Sequence, residues 1–198
     1  MIAFIDHYDS FSFNLIDWLR AFHPAIEVLR YDFDDPELLS KVPRDVPLVL
    51  SAGPGDPAEK GPTRALVAQQ LGRVPLLGVC LGHQILGLAA GLTILPATLP
   101  FHGTTRSICA CEDSRFLRGM PQPFAAAVYN SLALGPGILA PEWKVTARDE
   151  LGDVQALEYC PSVGAPALGV QFHPESFMSE SQALLRERWI RSGDQLWK

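Results

Sequence analysis

A short apolar run, Pro75-Leu76-Leu77-Gly78-Val79, passes through Cys80 into Leu81-Gly82-His83-Gln84. The run reads as a buried strand, and Gln84 to Ala90 reads as the start of a helix. Between them lies Gly78-x-Cys80-x-Gly82, a cysteine bracketed by glycines. This is the thiol counterpart of the G-x-S-x-G nucleophile elbow, in which a sharp strand-to-helix turn lifts a nucleophile above the end of a sheet. Such a turn leaves little room for Cβ atoms around the strained residue, which explains the glycines. A thiol at a helix N-terminus also has its thiolate stabilised by the helix dipole and by free backbone N–H groups. The same string fits a buried structural cysteine, because free Cys packs as a small hydrophobe.

Around this elbow the first half of the chain alternates strands with helices. Residues 2 to 6 form an apolar strand ending in Asp6, and His7-Tyr8-Asp9-Ser10 leads into a helix capped by Asp9 or Ser10. Phe11, Leu15, Trp18, Leu19 and Phe22 recur at helical spacing, and Pro24 ends that helix beside a solvated His23. Ile26 to Tyr31 and Val46 to Leu50 read as strands, with a short helix between them through Ser40. The second of these strands runs into Ser51-Ala52-Gly53-Pro54-Gly55-Asp56-Pro57, which continues neither a strand nor a helix. Thr63 to Leu71 is a helix. Beyond the elbow, strand-like runs at 92–96, 105–111, 124–128, 143–148, 153–159 and 167–171 precede a closing helix from Ser179 to Arg191. The expected class is α/β: a doubly wound, mainly parallel sheet with flanking helices and an additional small antiparallel sheet. Sites in such sheets form at the carboxyl ends of strands, where both the Gly53 turn and Cys80 fall.

The chain of 198 residues, 47% hydrophobic and 19% charged, is expected to form one soluble domain over residues 1–198. A net charge of -6 without a Lys/Arg-rich block argues against a nucleic-acid partner, whose phosphates need a basic footprint. No run approaches the length of a membrane span, and the opening residues lack a signal-peptide pattern. Cys80, Cys109, Cys111 and Cys160 have neither disulfide-framework nor zinc spacing, so reduced thiols and a cytoplasmic address fit best.

A cysteine nucleophile needs a base and a group to orient it, usually distant in sequence. His173 follows the apolar run Ala167 to Phe172, with Pro174 and Glu175 behind it. A strand-end histidine with a carboxylate two residues on suits a base held in one orientation, although His-Pro-Glu alone is also an ordinary surface turn. His83, close to Cys80 in sequence, is expected to turn away from the thiol toward packing or capping. Acyl transfer also needs oxyanion donors. The N–H of Leu81 is one candidate by elbow geometry, and the N–H of Gly53 is a second.

Together, Ser51-Ala52-Gly53-Pro54-Gly55, Gly78-Val79-Cys80-Leu81-Gly82-His83-Gln84 and His173-Pro174-Glu175 resemble the class I (triad-type) glutamine amidotransferases. The opening Ile5-Asp6-His7-Tyr8-Asp9-Ser10-Phe11-Ser12-Phe13-Asn14-Leu15 is similar to the amidotransferase subunits of anthranilate and aminodeoxychorismate synthases. His102-Gly103 and Tyr129-Asn130-Ser131-Leu132 also match that subgroup. The chain departs from the pattern at His7, Ala52, Val128 and Asn130; His7 is expected near the partner surface. The resemblance implies that Cys80 attacks the side-chain amide of L-glutamine, His173 shuttles the proton and Glu175 orients His173. It implies that the Gly53-Pro54-Gly55 turn and Leu81 serve the oxyanion. Gln84 with the Ser131-Leu132 backbone would hold the amino-acid end. Ammonia would pass to a separate chorismate-binding synthase subunit, with no metal or organic cofactor implied. A stand-alone gamma-glutamyl thiol hydrolase and a non-catalytic amidotransferase-like binding subunit remain alternatives.

Overall fold

In Ile2–Asp6 (β1) every residue is buried, with Ile2 and Phe4 facing one side of the sheet and Ala3 and Ile5 the other. Burial on both faces marks the inside of a helix-covered parallel sheet. The computed structural model of the chain describes residues 1–22, 26–100, 103–180 and 182–192. His23, Pro24 and His102, singled out above, lie outside the described residues.

Val28–Asp32 (β2), Leu48–Leu50 (β3), Leu76–Val79 (β4) and Ala167–Val170 (β11) run parallel to β1 in the order β2-β1-β3-β4-β11. The sheet continues antiparallel through Val154–Tyr159 (β10), Trp143–Asp149 (β9), Thr104–Ala110 (β6) and Phe124–Val128 (β7), giving nine strands. Leu92–Pro96 (β5) and Leu132–Gly137 (β8) form a separate two-stranded antiparallel sheet. β8 is absent from the sequence expectation because Gly135-Pro136-Gly137 reads as a breaker; it survives as half of a two-stranded ribbon, where both strands are edges.

Ser12–Arg20 (α1) and Gln182–Arg191 (α5) cover one face, burying Leu15, Trp18, Leu19, Leu185 and Trp189 against Ile2, Phe4, Leu77 and Val79. Leu38–Lys41 (α2), Gly61–Gln70 (α3) and Leu81–Ala89 (α4) cover the other through Leu38, Leu66, Val67, Ile85 and Leu86. The helices thus double-wind the parallel half. α4 begins at Leu81, directly after the cysteine, rather than at Gln84. α1 begins at Ser12, so Phe11 stands before the helix, and the Asp9 carboxylate accepts its N–H at 2.7 Å. Among the described residues, no helix is long and apolar enough to cross a membrane.

The parallel register brings four strand ends to one edge. Leu50 pairs with Gly78, Ile5 with Leu50 and Val79 with Val170, so His7, Ser51, Cys80 and Gln171 open the loops there. β7, last in the sheet, returns to meet the segment after β11: the His173 N–H donates to the Ala127 carbonyl at 2.8 Å.

Candidate active site

Cys80 ends one element and starts the next. Its N–H donates to the Val170 carbonyl at 2.9 Å, and its own carbonyl accepts the Gln84 N–H at 3.1 Å, the first turn of α4. The change of direction forces φ to +50° and ψ to -99°, a region that side-chain-bearing residues avoid at a cost of about 1–3 kcal/mol. A Cβ on Gly78 would strike the Gly82 carbonyl, and one on Gly82 would strike the Leu50 carbonyl. The glycines are therefore required by close approach of three backbone segments, as the elbow reading implies.

Cys80 and His173 line one cavity of about 430 Å³, together with Gly53, Pro54, Phe11 and Tyr129. His173 is buried, and its Nδ1 lies 2.6 Å from Glu175 Oε1, with both side chains almost wholly enclosed. The His173 carbonyl accepts the Ser179 hydroxyl at 2.6 Å and the Ser176 N–H at 3.2 Å, which ties the loop around the ring. Tyr129 meets the imidazole edge to face at 4.9 Å between centroids, and Phe11 does so at 5.8 Å. Burial pulls the His173 pKa down; the Cys80 thiol and the Glu175 carboxylate more than reverse this and hold it well above the usual 6.5. The other ring nitrogen, Nε2, is buried, and Cys80 raises the ring's pKa through its side chain's hydrogen bonding as well as through its charge.

Asp9 also lines the cavity. Burial raises its carboxyl pKa, and the Phe11 N–H and nearby His173 oppose that rise. Neither aromatic wall has a role in the sequence reading. Phe11 reads as part of a helical stripe and instead packs beside Tyr129 at 5.1 Å. The available signal is position: Phe11 follows the carboxyl end of β1, on the same edge as the Gly53 turn and Cys80.

The other residues singled out from sequence surround this centre without all reaching the cavity wall. Gly55 is exposed beyond Pro54, beside Lys60. Leu81 is the first residue of α4, where a backbone N–H has no partner within the helix. The Gln84 amide donates to the Leu132 carbonyl at 2.9 Å and to Gln171 Oε1 at 3.0 Å. Leu132 also accepts the Asn130 amide at 2.9 Å, and the carbonyl of exposed Ser131 accepts the Ala97 N–H at 2.9 Å. His83 turns from the thiol toward β11, where Gly169 leaves it room; a Cβ there would sit 2.7 Å from its Nδ1. Burial lowers the His83 pKa to about 4, so that ring is neutral. His7, expected near a surface, is wholly buried. Among the described residues, no group of three His, Cys, Asp or Glu side chains is arranged to hold a metal.

The fold is that of a solved glutamine amidotransferase from Thermotoga maritima, with a TM-score of 0.73 over 98% of this chain and 82% of that one at 19% identity. The family model for glutamine amidotransferase class-I matches residues 3–191, and the chain belongs to that family. Among curated relatives, anthranilate synthase component 2 of Mycobacterium tuberculosis is 37% identical over 194 residues, covering 96% of this chain and 81% of the relative. Aminodeoxychorismate synthase component 2 of Klebsiella aerogenes is 35% identical over 181 residues, 91% of this chain and 94% of the relative.

Proposed function

We propose that this chain is the glutaminase subunit of a chorismate-aminating synthase. The observation that carries the reading is the strained Cys80 facing one cavity with His173, whose far nitrogen is held by Glu175 at 2.6 Å. In the reaction, the Cys80 thiolate attacks the side-chain carbonyl of glutamine after giving its proton to His173 Nε2. The tetrahedral oxyanion takes hydrogen bonds from the N–H groups of Leu81 and Gly53, with Pro54 and Gly55 shaping the turn. His173 then protonates the departing ammonia, leaving a γ-glutamyl thioester on Cys80. Water, deprotonated by His173, hydrolyses the thioester to glutamate and restores the thiol. Glu175 holds one ring orientation and stabilises the imidazolium throughout. Gln84 and the backbone of Ser131 and Leu132 take the amino-acid end of the substrate, one helical turn beyond the thiol.

Ammonia passes to a separate chorismate-binding subunit, as the component 2 names of the relatives suggest. A cytoplasmic address accords with a reaction that needs Cys80 as a thiol, and all four cysteines are free. The test is glutamate release from glutamine, alone and with component 1 of either synthase, with and without chorismate. Stimulation by one component 1 is the expected result and identifies the aminated product. Turnover that neither component alters favours a stand-alone hydrolase, and no release under any condition overturns the reading.

A further inference from the structure

The Ala52 carbonyl and the Gly53 N–H are opposite edges of one planar trans peptide, so whatever holds the oxygen also aims the N–H. The Ser51 hydroxyl donates to that oxygen at 2.6 Å. A hydroxyl has one proton, so Ser51 Oγ is an acceptor toward its remaining partners. Both come from His7: its backbone N–H at 2.9 Å and its Nδ1 at 3.3 Å. The Nδ1 contact therefore assigns the ring proton to Nδ1. Nε2, 3.1 Å from Thr63 Oγ1, is left to accept the threonine hydroxyl. The result is a one-way chain of donors running from Thr63 on α3 through the His7 ring and Ser51 to the Ala52 carbonyl.

The ring is held from other directions as well. It stacks on Phe33 at 5.3 Å and 27°, and Lys60 Nζ lies 4.4 Å from the Phe33 centroid. Burial, assisted by the Lys60 charge, lowers the His7 pKa to about 4, which keeps the ring in the neutral form the donor chain requires. Gly53 lies directly against the same residue: a Cβ there would be 2.5 Å from His7 Cβ and 2.6 Å from its carbonyl oxygen. His7 is outside the cavity lining and touches no reacting atom.

We propose that His7 is a positioning residue for the oxyanion turn, its neutral ring linking Thr63 to Ser51 and thereby fixing the direction of the Gly53 N–H. The inference rests on the reading that this N–H serves the oxyanion. It separates a step that develops an oxyanion from one that does not. Turnover of glutamine needs the N–H, whereas alkylation of the Cys80 thiolate by iodoacetamide is a displacement at a saturated carbon and forms no oxyanion.

The experiment compares wild type, His7→Ala, His7→Asn and Thr63→Val for kcat and KM of glutamine hydrolysis in the complex and for the rate of Cys80 alkylation. His7→Ala is expected to lower kcat by about ten- to a hundredfold, part of the effect of losing an oxyanion donor, with KM and alkylation within about twofold. Thr63→Val should give the same split at about three- to fivefold. His7→Asn, whose amide nitrogen can stand near the Nδ1 position, should recover part of the loss. Unchanged kcat in an active His7→Ala enzyme overturns the inference, as does an equal loss in alkylation. If His7→Ala does not fold, Thr63→Val with wild-type kcat overturns it. A wild type that releases no glutamate removes the functional reading and this inference together, whereas active wild type with unaffected variants removes only the role of His7.

Discussion

Cys80 and His173 share a cavity, but the two sides of that cavity are made differently. On the thiol side the steric contacts come from Gly78 and Gly82, with Gln84 closing the first turn, all within four residues of Cys80. The adjoining strands add the Leu50 backbone and the Val170 carbonyl that accepts the Cys80 N–H. Steric exclusion does the work there: three backbones meet with no space for a methyl group. On the histidine side, Phe11, Ala127 and Tyr129 converge from separate parts of the chain, while Glu175, Ser176 and Ser179 come from the loop that carries His173. Hydrogen bonds, ring contacts and charge hold that side. A steric constraint fails abruptly, while a polar and aromatic setting loses function by degrees.

Gly82→Ala should therefore give the largest effect on the fold. Its new Cβ meets the Leu50 backbone, which cannot swing aside as a side chain would, so a destabilisation above about 3 kcal/mol is expected by denaturant titration. A change below about 1 kcal/mol would show that the elbow relaxes and is not sterically set.

Glu175→Gln probes the other side, with a smaller structural effect and a distinct pH signature. His173 is held protonated above its usual pKa, so its pairing with Glu175 contributes fully below about pH 6.5. That contribution disappears as pH rises through the raised folded value. The variant should be destabilised more at about pH 6 than at about pH 10, and kcat should fall by about ten- to a hundredfold. The alkaline limb of its kcat profile should move to lower pH, because the imidazolium that protonates ammonia loses its partner. An unmoved limb would mean that Glu175 does not set the His173 charge.

The same contrast explains what is legible in the sequence. Gly78-x-Cys80-x-Gly82 carries its geometry in neighbouring letters, and His173, which stands three residues past the end of β11 rather than at the strand end itself, is almost as local through its nearby Glu175. The alternation of strands and helices around the elbow likewise encodes the parallel half of the sheet. The burial of His7 between Ser51 and Thr63 is not encoded that way, since its partners lie 44 and 56 residues off. Phe11 misleads because helical spacing extends one residue beyond the helix that produces it. Tyr129 offers no periodic signal at all; its place against His173 depends on β7 returning to the segment after β11. β8 escapes the pattern because Gly135-Pro136-Gly137 is a breaker by composition and a strand only through its pairing with β5.

The central claim is that glutamine gives up its amide nitrogen through Cys80. The most direct measurement supplies either glutamine or ammonium salt to the complex of Cys80→Ala with synthase component 1 and chorismate. Glutamine-dependent amination should fall by more than about 10³-fold while ammonium-dependent amination stays within about twofold of wild type. Glutamine-dependent amination that survives the substitution would contradict the claim.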